Sequence, residues 1–187
     1  MALALVLDLE TTGLLLPELA SAEDQPRIIE LGAALVDKHG ESQRTFSELI
    51  NPGVQISDEI TRITKLRNED LAGKPPLVAH LSVLKAMFAA ASALIAHNLP
   101  FDKGVLSADI ARMEHRTSSS WLKDWPWPPL EICTVQAYTH EWGRRMKLTE
   151  LYEAKLKRPL AQTHRALDDV LALVEVLKAD HTLEELL

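Results

Sequence analysis

The segment LVLDLETTGL, residues 5–14, begins as an apolar run and is then interrupted by two acids, Asp8 and Glu10. Residues two apart on a strand project to one face, so the two carboxylates stand side by side. Burying ionised carboxylates without partners is costly, and adjacent ones repel. Two readings follow. In one, the acids lie at a strand end, face water and pair with Arg or Lys. In the other, they hold hard divalent cations, which prefer carboxylate oxygens. The TTG that follows supports the second reading. Gly13 permits a sharp turn, and sites in mixed and parallel sheets gather where strands exit.

Outward from this segment, residues 3–9 read as a buried strand and GLLLPELASAEDQP (13–26) as a loop. RIIELGAALVD (27–37) and QRTFSELI (43–50) read as strands joined by a turn at KHGE. Ser57, with Glu59 just behind it, is an N-cap for short helical pieces. Helical periodicity covers 75–92, and ALIAH (93–97) is strand-like. Pro100 suits the first turn of a helix running to about His115. A loop at 115–129 leads to a fifth strand, LEICT (130–134). Helices near 135–142 and 148–155 follow, and a last one spans about Thr163 to Asp180. Strands first, then strands alternating with helices, predict an α/β chain with a mixed sheet covered by helices.

The 187 residues suit one domain with a substantial core. The single cysteine, Cys133, excludes an internal disulfide and any cysteine-rich zinc site, and it suits a reducing cytoplasm. No apolar run approaches membrane-spanning length. The start, MALALVLDLE, lacks the basic flank and cleavage site of a signal peptide. A formal charge of -7 argues against broad nonspecific affinity for nucleic acid. It leaves a nucleic-acid substrate open, because bound cations reverse the sign of a local site.

Two later segments carry further acids. Asp102 lies in AHNLPFDKGVL, in the first turn of the expected helix, where acids complement the helix dipole. Alone it reads as structural. Its neighbours Asn98 and Phe101 add a polar probe and an aromatic face. In THRALDDVLALVEVL, steps of 100° put Asp169 at the edge of the apolar stripe and Asp168 beside Glu175 on the polar side. His164 stands at the helix start. Alone it is a cap or surface residue; beside an acid cluster it becomes a general-base candidate, its ordinary pKa being near neutrality.

Together the three segments resemble the DEDDh 3′–5′ exonucleases, the DnaQ-like branch of the ribonuclease-H-like superfamily. LDLETTGL is similar to the first family motif, with Asp8 and Glu10 as its D-x-E. IAHNLPFDKGVL is similar to the second, with Asp102, and HRALDDVLAL to the third, with His164 and Asp169 five residues later. RIIELGAALVD, SDEITRITKLRNEDLAGKPP and KLTELYEAKL extend the resemblance over nearly the whole chain. It implies one exonuclease domain over 1–187, with a ribonuclease-H-like three-layer fold and a five-stranded mixed sheet flanked by helices. It implies Asp8, Glu10 and Asp169 as direct ligands of two Mg²⁺ or Mn²⁺ ions, and Asp102 as a ligand directly or through water. His164 would be the general base. Thr11, Thr12 and Leu14 would meet the terminal nucleotide, with Asn98 and Phe101 also at the substrate.

The implied reaction releases nucleoside 5′-monophosphates from a single-stranded or frayed 3′ end of DNA, as in proofreading or repair, with a polymerase as a conceivable partner. RNA trimming or oligoribonucleotide degradation is the alternative within the same chemistry. A weakly catalytic polymerase-accessory module is the alternative outside it, and the full set of four acids and His disfavours it. Two departures stand out. The loop after Gly13 is longer than usual, and the chain stops soon after the final helix, so no long polymerase-binding tail is expected.

Several features remain outside this constellation. Trp121, Trp125 and Trp127 sit in a Pro-rich loop and read as plugs of a core edge, with base stacking as the rival role. GRRMK (143–147) and Lys155, Lys157 and Arg158 read as solvated faces, with a phosphate track as the rival. Glu30, in an apolar strand, reads as edge-exposed or as a support for the acids.

Overall fold

The computed structural model describes residues 2–17, 20–117, 123–161 and 164–187. Five strands form one mixed sheet: β1 (Ala4–Thr11), β2 (Ile28–Val36), β3 (Ser42–Leu49), β4 (Ala93–Ala96) and β5 (Leu130–Cys133), in the spatial order β3-β2-β1-β4-β5. β1 pairs antiparallel with β2 and parallel with β4. As the central strand it is covered on both faces, which is why its sequence is a near-continuous apolar run rather than an alternating one. β2 is buried along its whole length, whereas β3, at the edge, buries only Phe46. The turn between β2 and β3 forms as expected. The Asp37 carboxylate accepts from the amides of His39 and Glu41, and Gly40 takes the left-handed conformation (φ 72°).

The period of two along β1 divides the core. Leu5, Leu7 and Leu9 point into a cluster with Leu84, Phe88, Leu106 and Ile110. These come from α3 (Leu81–Ala90) and α4 (Leu99–Thr117). Ala4 and Val6 point the other way, into a cluster with Tyr138, Leu151, Val170 and Leu173. That layer comprises α5 (Thr134–Trp142), α6 (Leu148–Leu156) and α7 (Ala166–Ala179). By the same alternation Asp8 and Glu10 lie on the α7 face. Their position on the sheet therefore follows from the strand period, and what they meet is decided by how α7 begins.

Three boundaries differ from the sequence expectation. β1 continues to Thr11, so the acids lie inside its C-terminal half and not at its exit. As expected, two short helices, α1 (Asp58–Thr64) and α2 (Asn68–Ala72), fill the segment after Ser57, whose hydroxyl accepts from the Ile60 amide at 3.3 Å. The helix expected over 75–92 opens as a 3₁₀ turn, Leu77–His80, before α3. Pro75 and Pro76 offer no N–H, and the tighter turn closes from the Pro76 carbonyl to the Ala79 amide. The last helix starts at Ala166, not Thr163, and ends in a further short turn, α8 (Thr182–Leu186). Thr163 itself lies outside the described residues.

Trp121 also lies outside the described residues. Trp125 is buried edge-on against Phe88 at 5.3 Å, and Trp127 meets the same ring at 5.4 Å, so both close the core edge. Several of the basic residues are engaged in ion pairs. Arg144 pairs with Glu150, Lys155 with Asp180 and Glu141, and Arg158 with Glu175.

Candidate active site

β1 carries Asp8 and Glu10 to the point where α7 crosses it. Oxygen atoms of Asp8, Glu10 and Asp169 all lie within 4.8 Å of one another. Asp169 reaches them from the first turn of α7, where it is buried, while Asp168 is exposed. The helical-wheel distinction between these adjacent acids thus holds in three dimensions.

The convergence has an electrostatic signature. Burial, then the charges of Asp102, Asp169 and Glu10, hold the Asp8 carboxyl well above its ordinary range. Glu10 is pushed up to about 7 by burial and by the charges of Asp169 and Glu30, with Arg165 opposing. Asp102 is pushed up to about 8, chiefly by burial, with the backbone amides of Asp102 itself and Leu9 opposing and the charge of Glu10 adding. Like charges held together out of water disfavour their own ionisation.

Asp102 stands beside the trio. β4 ends at Ala96, and α4 begins three residues later, so the acid falls in the first turn of α4 and is buried there. The Asn98 carbonyl accepts from the amides of Phe101 and Asp102, at 2.9 and 3.3 Å, which starts the helix in this register. Asn98 and Phe101 are each half-buried, and Phe101 packs on the core cluster below.

The approach to α7 holds what the sequence left unassigned. His164 adopts left-handed backbone (φ 54°), a conformation that costs a non-glycine residue of order 1–3 kcal/mol and collects at functional sites. Arg165 follows as the residue capping α7, and its carbonyl accepts from the Asp169 amide at 3.1 Å. Its guanidinium Nε donates to Glu30 Oε1 at 2.9 Å. Glu30 is directly opposite Glu10 in the β1–β2 register and is only 1% exposed, so the edge-exposed reading is wrong. Gly32, opposite Asp8, lets α7 lie directly on the sheet. A Cβ there would sit 2.3 Å from the Ala166 carbonyl carbon. The signal for Glu30 was an acid in a nine-residue strand otherwise without charge.

On the other side of the acids the chain turns away. Thr11 is buried, and its hydroxyl donates to the Gly13 carbonyl at 2.7 Å. The Thr12 hydroxyl accepts from the Arg27 amide at 2.9 Å. Both hydroxyls therefore shape the turn. Leu14 is 81% exposed, while Leu15 folds onto Gly104 of α4. The long loop that follows is pinned from beneath. Arg112 of α4, itself buried, pairs with Asp109 and donates to the carbonyls of Ala22 and Gln25. The Gln25 side chain bonds the backbone of Leu16 in both directions.

The donor set fits hard divalent cations. The converging ligands are carboxylate oxygens, and their mutual repulsion is the kind a cation relieves. Among the described residues no helix is long and apolar enough to cross a membrane.

A protein-family model described as Exonuclease (RNase_T) matches residues 5–177. The DNA polymerase III PolC-type of Clostridium perfringens is 32% identical over 173 residues, covering 92% of this chain and 11% of the polymerase. The chain thus spans about a tenth of that relative. The DNA polymerase III subunit epsilon of Treponema pallidum is 28% identical over 169 residues, covering 90% of this chain and 72% of the subunit. Among solved structures, the nuclease domain of 3′hExo, a DEDDh family member bound to rAMP, superimposes with a TM-score of 0.68. Its identity is 18%, with 94% of this chain and 90% of that one covered, which speaks for the fold.

Proposed function

This chain belongs to the RNase_T exonuclease family, and from that premise we propose that it is a metal-dependent 3′–5′ exonuclease that releases nucleoside 5′-monophosphates from a single-stranded or frayed 3′ end. The observation that carries the proposal is the meeting of Asp8, Glu10 and Asp169, with Asp102 alongside, on the face where α7 lands. DNA is the preferred substrate because the polymerase relatives are DNA enzymes by name, and the same likeness suggests a polymerase partner in a cytoplasmic setting. One exonuclease domain over 1–187 accounts for the whole reading.

Asp8, Glu10 and Asp169 would hold two Mg²⁺ or Mn²⁺ ions, with Asp102 joining directly or through water. Such ions stabilise the attacking and leaving oxygens of an in-line phosphoryl displacement. The protein's own contributions are separable from that. Its four carboxylates gather negative charge where the scissile phosphate must lie, so the acids bind productively only when ionised and compensated. His164 takes the proton from the attacking water, a role worth ~10²–10⁴-fold in rate. Leu14, largely exposed at the lip, packs on the terminal base, and Thr11 and Thr12 hold the turn that presents it. Asn98 and Phe101 border the 3′ nucleotide from the α4 side.

The test is the isolated chain with Mg²⁺ on 3′-labelled single-stranded DNA, mismatched duplex DNA and RNA, side by side. Release of labelled mononucleotide, lost on chelation and in Asp8→Asn, is the expected result. Unchanged release in Asp8→Asn overturns the proposal, and a preference for RNA replaces the DNA reading with exoribonuclease.

A further inference from the structure

We propose that Glu30 and Arg165 form a positioning pair that sets His164 and Asp169 over the acids of β1, an inference that rests on the exonuclease reading above. Glu30 lies on the inner face of β2, opposite Glu10, with essentially no exposure. A lone acid there adds one more negative charge to a crowded site, and its own carboxyl is pushed up by burial, with Arg165 opposing. Nothing in the chemistry of the trio asks for it. What it does is receive Arg165, whose Nε donates at 2.9 Å, while its second oxygen, Oε2, is buried without a hydrogen-bond partner among the described residues. A carboxylate held in so dry a place is an anchor: Arg165 is its rope, and the Ala166 amide at the head of α7 also steadies its charge.

The rope ends where the geometry of the site is decided. Arg165 follows His164 directly, caps α7, and accepts the Asp169 amide on its carbonyl. One side chain therefore fixes, through its own backbone, the residue bearing the imidazole on one side and the helical turn bearing the acid on the other. Two residues along β2, Gly32 sets the depth, because its missing Cβ is the space Ala166 occupies. Gly32 lets the helix seat directly on the strand, and Glu30 stops it from sliding or turning along the strand. The left-handed backbone of His164 is a conformation the free chain avoids, so a tether on the next residue is the natural means of keeping it. Arg165 also borders a surface pocket with Lys65 and Lys74, so a direct contact with substrate phosphate is the rival role.

The experiment compares Glu30→Gln, Arg165→Gln, the double variant, Arg165→Lys and His164→Ala by steady-state kinetics with Mg²⁺ on a single-stranded oligonucleotide. A positioning pair predicts kcat lower by ~10–100-fold in either single variant with KM little changed, the scale expected when a reacting group is misplaced by about an ångström. The double variant should be no worse than the singles, because the two act as one unit. Arg165→Lys should recover part of the loss. Arg165 is 44% exposed at its side chain, so its variants decide the matter even if Glu30→Gln fails to fold. Wild-type kcat in Arg165→Gln overturns the inference, and so does a raised KM with a flatter salt dependence, which would make Arg165 a phosphate contact. If His164→Ala loses turnover while the pair variants keep it, the positioning role falls and the exonuclease reading stands. If the wild-type chain shows no nuclease activity, both fall.

Discussion

Replacing Glu10 by Gln should make the metal-free protein more stable at pH 8 and leave it catalytically dead. Gln matches the protonated acid in shape and cannot ionise. In the folded chain Glu10 is raised from 4.5 to about 7, first by burial and then by Asp169 and Glu30. A carboxyl raised on folding contributes its stability in full below its unfolded value, and that contribution is lost as pH climbs through the folded value. Above pH 7 the ionised side chain therefore burdens the folded state by up to about 3 kcal/mol. Glu10 is only half-buried, and water screens part of this, so a gain of roughly 1–3 kcal/mol is the expectation. For a domain of this size that is a rise of about 3–10 °C in Tm. The assay is thermal melting by circular dichroism in chelator at pH 5 and pH 8, repeated with excess Mg²⁺. At pH 5, just above the unfolded value of 4.5, the variant's advantage should shrink to under about 1 kcal/mol. At pH 8 in chelator the variant should melt higher, and with Mg²⁺ the order should close or invert, because only the wild type keeps the full ligand set. A variant melting at or below wild type at pH 8 in chelator would mean that Glu10 is not under strain from its neighbours, and the cluster would lose its physical basis.

Asp169→Asn should lose nearly all hydrolysis and weaken Mg²⁺ binding in calorimetry, whereas Asp168→Asn, exposed on the polar side, should change the rate by less than about 0.5 kcal/mol; the reverse pattern would reassign the third motif. Gly32→Ala places a Cβ 2.3 Å from backbone of Ala166 and should cost about 1–3 kcal/mol in denaturant melts, with turnover falling further than stability because α7 must move. Arg112→Ala should cost about 3–5 kcal/mol, since it strands the buried Asp109 carboxylate and releases the loop carbonyls of Ala22 and Gln25. A loss below 1 kcal/mol in urea unfolding would show that the loop is held by other means.

The parts of this site that the sequence disclosed are those governed by local periods. The spacing of Asp8 and Glu10 put them on one face of a strand before any partner was known, and the 100° step separated Asp169 from Asp168. Asp102 had no such signature, because an acid in a first helical turn is ordinary; only its pattern with the other motifs singled it out. The features that stayed hidden are those created by contacts between distant segments. Arg112 reaches carbonyls 87 and 90 residues earlier, and Arg165 reaches Glu30 across 135 residues. The start of the last helix depends on such contacts too. The local pattern carries the helix back to about Thr163, whereas α7 begins at Ala166, where Gly32 leaves space for its backbone and Glu30 holds Arg165.

That displacement of the helix start carries a consequence for the chemistry. Had the helix begun at Thr163, His164 would be an early helical residue with its backbone fixed by the α-helix itself, and five residues on the helix would separate it rigidly from Asp169. With the helix beginning at Ala166, the acid and the histidine belong to different mechanical parts. Asp169 is built into the packed α7 layer, while His164 hangs on a strained link ahead of it. Metal ligation needs fixed oxygens, which a buried helix supplies. On the proposed reading, a base that must take a proton and release it to water needs access, and half-buried His164, ahead of the helix, has it. The Glu30–Arg165 ion pair, buried at the glutamate and half-exposed at the arginine, stands at that junction, which is where the two parts could drift apart.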